Sequence, residues 1–198
     1  MPITLGLFLF EDVEELDFAG PWEVFAAAAS ELDDLQVTTI AQEEGPITCA
    51  KGLRVLPEHS FESAPKLDVL LVPGGIGTRT QAKNEAALQW ISRTAEDCRY
   101  VTSVCTGAYL LAQAGPARGK RVTTWWGFVE KLRETGLVAE VLDDVRFVRD
   151  GHVVTSAGVS AGIDMALWLL GQLYEPAVAR KVQRYIEYYP APPYTAET

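Results

Sequence analysis

Short apolar runs alternate with segments of helical periodicity along the chain. Residues 3–10 (ITLGLFLF) read as a buried first strand, and residues 21–30 (PWEVFAAAAS) as a helix with its proline near the first turn. Residues 35–40 form a second strand. Two short extended pieces between Gly45 and Leu56, around Lys51-Gly52, read as a hairpin excursion. The unbroken apolar run 67–72 has the character of a central parallel strand, and it ends in Pro73-Gly74-Gly75. Residues 84–98 form an amphipathic helix with Ala87, Leu88, Ile91 and Ala95 on one side. A β-branched strand from Tyr100 then runs into Cys105, with a helix to Ala114 directly behind it. A strand over 119–124 and a helix over 128–135 follow. Next come a hairpin over 146–155 about Asp150-Gly151 and helices over 161–173 and 176–185. The prolines of the segment 188–194 exclude a helix there.

This alternation predicts an α/β fold, a mostly parallel sheet with helices on both faces. Active sites of such folds gather at the carboxyl ends of the strands. Three features fall there: the end of the first strand near Asp17, the Gly74-Gly75 loop, and Cys105. With neither repeat nor linker, residues 1–198 are expected to form one domain, with 186–198 as a proline-rich tail.

Composition narrows the function. A net charge of −10 and a pI near 4.7 argue against binding a phosphate backbone and leave no polybasic patch for anionic membranes. No stretch approaches the roughly 20 apolar residues of a membrane span. The apolar start lacks the basic flank of a signal peptide and runs into Glu11-Asp12. Three scattered cysteines, Cys49, Cys98 and Cys105, build neither a disulfide framework nor a zinc site, and a cytoplasmic protein without metal is expected.

The candidate chemistry centres on Ser103-Val-Cys105-Thr106-Gly107, a thiol on a sharp strand-to-helix turn with small flanking residues. The helix N-terminus behind it would favour the thiolate, the reactive form. The alternative is an inert core cysteine. Backbone N–H groups of Gly75 and Thr106 are candidate donors to developing negative charge. Asp17, flanked by Leu16 and Phe18, is the candidate proton donor. Gly20 holds the natural cap position before Pro21, so Asp17 is not needed as a cap. Burial beside a thiolate would raise its pKa. His59, in a polar loop, and His152, after the Asp-Gly turn, are both read as surface residues, which argues against a Cys-His hydrolytic pair.

Leu16-Asp17-Phe-Ala-Gly20-Pro21, Val72-Pro73-Gly74-Gly75, Ser103-Val-Cys105-Thr106-Gly107 and Ala161-Gly162-Ile163-Asp164 together resemble, in order, the motifs of the ThiJ/PfpI superfamily. The resemblance implies a flavodoxin-like three-layer sandwich with a nucleophile elbow, and a homodimer with pockets near its interface. Within the superfamily the chain is most similar to the isonitrile hydratase subgroup, including its Glu187-Tyr188-x-Pro190-Ala-Pro192-Pro193 tail. That likeness implies Cys105 as nucleophile, Asp17 as general acid, and Thr106 fixing the acid and the anion site, with no cofactor. Gly74, Trp125 and Val159 would line the substrate pocket. Trp125 stands where members often carry a histidine, and it either narrows the pocket or packs. The pattern also resembles the sensor domain of AraC-type regulators. This sequence is acidic and runs only to Thr198, so DNA binding through an appended helix-turn-helix is not expected. A stand-alone ligand or redox sensor is the alternative to the hydratase. A glyoxalase- or deglycase-like enzyme ranks lower, since such relatives tend to use glutamate at the place of Asp17.

Overall fold

A computed structural model describes residues 2–190 of the chain. In order, the elements are β1 (Ile3–Phe8), α1 (Glu15–Ala29), β2 (Leu35–Ala41), β3 (Ile47–Thr48), β4 (Arg54–Val55), β5 (His59–Ser60), β6 (Val69–Val72) and α2 (Thr78–Gln81). Then come α3 (Glu85–Asp97), β7 (Tyr100–Val104), α4 (Gly107–Ala114), β8 (Arg121–Val122), α5 (Val129–Glu134) and β9 (Glu140–Val141). The order closes with β10 (Phe147–Asp150), β11 (Val153–Ser156), α6 (Ala161–Leu173) and α7 (Pro176–Tyr185).

Seven strands form one sheet in the order β10-β11-β7-β6-β1-β2-β5, parallel throughout except for β10 at one edge. Every residue of β1 and β6 is buried, because helices cover both faces. α1, α6 and α7 pack on one another, and α3 packs with α4. This is a flavodoxin-like α/β sandwich. Chain order runs outward from β1 in both directions, through β2 on one side and β6 and β7 on the other. The loops leaving β1 and β6 therefore diverge, and a crevice opens at their carboxyl ends. Asp17, Gly74-Gly75 and Cys105 follow the carboxyl ends of β1, β6 and β7 respectively.

The sequence-predicted hairpins around Lys51-Gly52 and Asp150-Gly151 both form, and α6 and α7 have their expected limits. Asn84 caps α3 by accepting the Ala87 N–H. Two expectations are corrected. The first helix starts at Glu15 rather than Pro21, so Gly20 is not its cap and Pro21 lies inside it. A proline normally drives its predecessor out of helical geometry by clashing with that residue's Cβ; Gly20 has none. Asp17 thus belongs to the first turn of α1, rigidly held, and not to a loop. His59 likewise lies not in a loop but on β5, half-buried and paired in parallel with β2. The tail beyond residue 190 lies outside the described residues. Among the described residues no helix is long and apolar enough to cross a membrane.

Candidate active site

The turn after β7 places Cys105 at φ 57°, a left-handed conformation that a residue with a side chain adopts only when its surroundings enforce it. Here they do. The Cys105 N–H donates to the carbonyls of Ser156 and Ala157 at 3.2 and 3.1 Å, and its own carbonyl accepts the Thr124 hydroxyl at 2.7 Å. Behind it, a Cβ on Gly107 would sit 2.0 Å from the Val72 carbonyl oxygen, so only glycine lets α4 leave the strand so sharply. This is a nucleophile elbow.

The Gly74-Gly75 loop closes over the elbow from β6. Gly75 has φ 119°, and a Cβ there would meet the Asp12 carbonyl at 2.4 Å. Its N–H donates to the Thr106 hydroxyl oxygen at 3.1 Å, while Thr78 bridges Thr106 (3.2 Å) and the Gly75 carbonyl (2.8 Å). The Thr106 hydroxyl in turn donates to the Gly75 carbonyl at 3.2 Å, and both it and the Thr106 N–H lie toward the Cys105 sulfur. Of the two amides expected to stabilise an anion, Thr106's flanks the sulfur and Gly75's is engaged by a side chain. Thr106 thus ties the elbow to the glycine loop, whereas the acid is held by Gly74.

Asp17 is fully buried. Its Oδ2 accepts the Gly74 N–H at 2.9 Å; Oδ1 is left buried without a well-formed hydrogen bond, though the Cys105 thiol and the Val159 amide approach the carboxyl loosely. Loss of hydration pushes its pKa up to about 7, with Glu14 adding to the rise against the opposing Gly74 bond. Burial, and then the neighbouring Asp17 charge, push the Cys105 thiol up to about 12; the Thr106 bonds only partly offset this. The expected low-pKa thiolate is therefore overturned for the resting site. A helix terminus cannot outweigh an apolar setting with a carboxylate alongside. The pair holds one proton over a wide range above neutral pH, and thiol and carboxyl titrate as a unit.

Neither histidine reaches this site. His152 lies in the turn just before β11, its carbonyl accepting the Val101 N–H beside the start of β7, at the end of that strand opposite Cys105. His59 is four strand spacings from β7, roughly 19 Å at about 4.8 Å each. Among the described residues no group of three or more His, Cys, Asp or Glu could hold a metal ion.

Cys105 and Thr106 open onto a cavity of about 380 Å³ whose lining also includes Gly75, Trp125 and Val159. Gly74, expected on the pocket wall, is not part of that lining; it is packed against Asp17 and Thr106. Trp125 does both things open to it: it packs on the core and forms a cavity wall. Space for its ring comes from Gly127 and Gly158, where a Cβ would meet the indole at 2.7 and 2.4 Å. Sequence reasoning missed Glu14, Lys51, Ile76 and Arg79 on the rim. Lys51 arrives from the β3–β4 hairpin and pairs with Glu14, and its backbone N–H donates to Glu15 at 2.7 Å. Only the long-range fold brings that hairpin here. The position of Arg79 just after the glycine loop was a legible signal.

Sheet order, elbow and buried carboxyl define an α/β sandwich that presents a cysteine, without histidine, at the topological switch of a parallel sheet. The sequence profile of the DJ-1/PfpI family matches residues 4–172, and the chain belongs to that family. It is 42% identical over 194 residues to the isonitrile hydratase of Pseudomonas putida, across 98% of this chain and 82% of that protein. A ThiJ/PfpI family protein from Pseudomonas syringae superposes with TM-score 0.89 at 29% identity, covering 100% of this chain and 80% of that one. The transcriptional regulator CdhR of Pseudomonas aeruginosa is 29% identical over 143 residues, 72% of this chain but 42% of the regulator.

Proposed function

We propose that this protein hydrates isonitriles to N-substituted formamides, with Cys105 as nucleophile and Asp17 as proton carrier. The observation that carries the reading is the buried Cys105–Asp17 pair, a thiol and a carboxyl with an unpartnered oxygen and no histidine beside them. An isonitrile carbon accepts a nucleophile and then needs a proton at the same atom. A thiol and a carboxyl sharing one proton supply both.

In the first step the thiol proton passes to Asp17 while sulfur bonds to the terminal carbon. Asp17 returns that proton to the carbon, and a thioimidate with an N=CH–S linkage results. Water then adds to this carbon, with one of its protons going to nitrogen. Collapse expels the Cys105 sulfur, which regains the remaining proton through Asp17, and the formamide leaves. Isonitrile and water are consumed in equal number and no redox change occurs. Likeness to the Pseudomonas putida enzyme over nearly the full chain supports the same reading.

The test is conversion of alkyl and aryl isonitriles followed by the formamide proton signal. Turnover should rise with pH through about 7, as the pair loses its second proton and gains a base for the thiol. A rate independent of pH between 5 and 9 would detach Asp17 from the chemistry. Tight ligand binding without turnover of any isonitrile would instead favour a sensor, the role suggested by the regulator relatives.

The homodimer belongs to the same proposal. Leu16, Leu53 and Ile76 stand exposed on α1, the hairpin and the glycine loop, with Ile76 on the cavity rim. Light scattering should give twice the 21.7 kDa chain mass; a monomer at micromolar concentration refutes it.

A further inference from the structure

Arg79 is the one cation on the catalytic cavity that the described residues leave without a carboxylate. Lys51 is neutralised by Glu14, with Glu15 at 3.8 Å. The Arg79 guanidinium is nevertheless fixed. Nη1 donates to the Gly75 carbonyl at 2.9 Å and to the Thr78 hydroxyl oxygen at 3.1 Å, and Cζ lies over the Phe128 ring, 5.0 Å from its centre. Among the described residues Nε and Nη2 have no partner, so part of its donor fork is free. A half-buried, immobilised guanidinium with free donors has already lost the side-chain freedom that binding would otherwise cost. We infer that the substrates of this site are isonitriles bearing a carboxylate, which Arg79 recognises while the apolar body lies against Trp125, Ile76 and Val159.

The charges around the cavity favour a single negative charge. Lys51 is taken up by Glu14 and Glu15, so Arg79 is the cation left to face the ligand, and the negative charge of the Asp17–Cys105 pair disfavours a dianion such as a phosphate monoester. The inference rests on the hydratase reading, and the experiment separates the two.

An ω-isocyano carboxylate and its primary amide are compared as substrates. Wild type should prefer the carboxylate by about 10- to 100-fold in kcat/KM, chiefly through KM, as expected for a charge-assisted pair. Arg79→Gln should bring the ratio close to one, and Arg79→Lys should leave it between the two. Because the ratio is taken within one protein, general damage to the glycine loop cancels. Turnover of the amide at equal or better efficiency overturns the inference and leaves the hydratase reading standing. Failure on every isonitrile removes the hydratase reading, and the Arg79 assignment is then decided by calorimetry with the matching N-formyl carboxylate and N-formyl amide. Tighter binding of the carboxylate, lost in Arg79→Gln, supports the assignment; equal binding overturns it.

Discussion

Cys105→Ala is expected to lower isonitrile turnover by at least about 10⁴-fold while leaving the fold intact. The sulfur forms the only covalent bond between protein and substrate in the proposed cycle, and no second free nucleophile lines the cavity: its other side chains are Glu14, Lys51, Ile76, Arg79, Thr106, Trp125 and Val159, and the Lys51 amine is held protonated against Glu14. Thr106 is no substitute, since its hydroxyl is bound into the Gly75–Thr78 network. Removing a small, buried thiol costs little packing, and the strained turn is held by main-chain bonds that alanine retains. Circular dichroism and the melting temperature should therefore match wild type within a few degrees. Activity within tenfold of wild type would sink the assignment. Cys105→Ser should be almost as inactive, because the same apolar setting that raises a thiol to about 12 makes an alkoxide inaccessible.

Asp17→Asn is expected to act in two opposite directions. Turnover should fall by roughly 10²- to 10⁴-fold, the usual contribution of a positioned acid–base group. Stability at pH 8 should rise. Asp17 titrates near 3.8 in an unfolded chain and at about 7 in the folded one, so the folded state holds the extra proton between those values. Its contribution to stability is complete below pH 3.8 and is lost as pH climbs through about 7. The full shift corresponds to on the order of 4 kcal/mol at about 1.4 kcal/mol per pKa unit. Asparagine keeps an oxygen to accept the Gly74 N–H and has no charge to desolvate. Its melting temperature should exceed wild type by several degrees at pH 8 and converge with it near pH 4. A variant less stable than wild type at pH 8 contradicts the burial argument.

Much of this was legible in the pattern of the chain. Apolar runs located the buried strands, and the one over 67–72 led straight into the glycine loop. The small residues around Cys105 located the elbow, since a turn that tight tolerates little else. What escaped was decided by tertiary contacts. Pro21 looked like a helix start because its cost inside a helix is local, whereas the Gly20 that makes it tolerable acts through an absent Cβ. The two-residue β5 carries too short a pattern to be seen and exists because β2 offers it an edge. The thiol's protonation was misread because the helix terminus is visible in sequence and desolvation is not. Lys51 and Arg79 were invisible as neighbours because nearly thirty positions and three strands separate them.

Trp125 and the two glycines around it cannot be exchanged one at a time. Histidine at 125 would leave Gly127 and Gly158 facing a void, while a side chain at either glycine would collide with the indole. Each single step away from this arrangement costs stability, although a concerted change of all three need not. The three positions thus act as an epistatic lock: exchanging this cavity wall for a histidine-bearing one, a position at a time, passes through less stable intermediates.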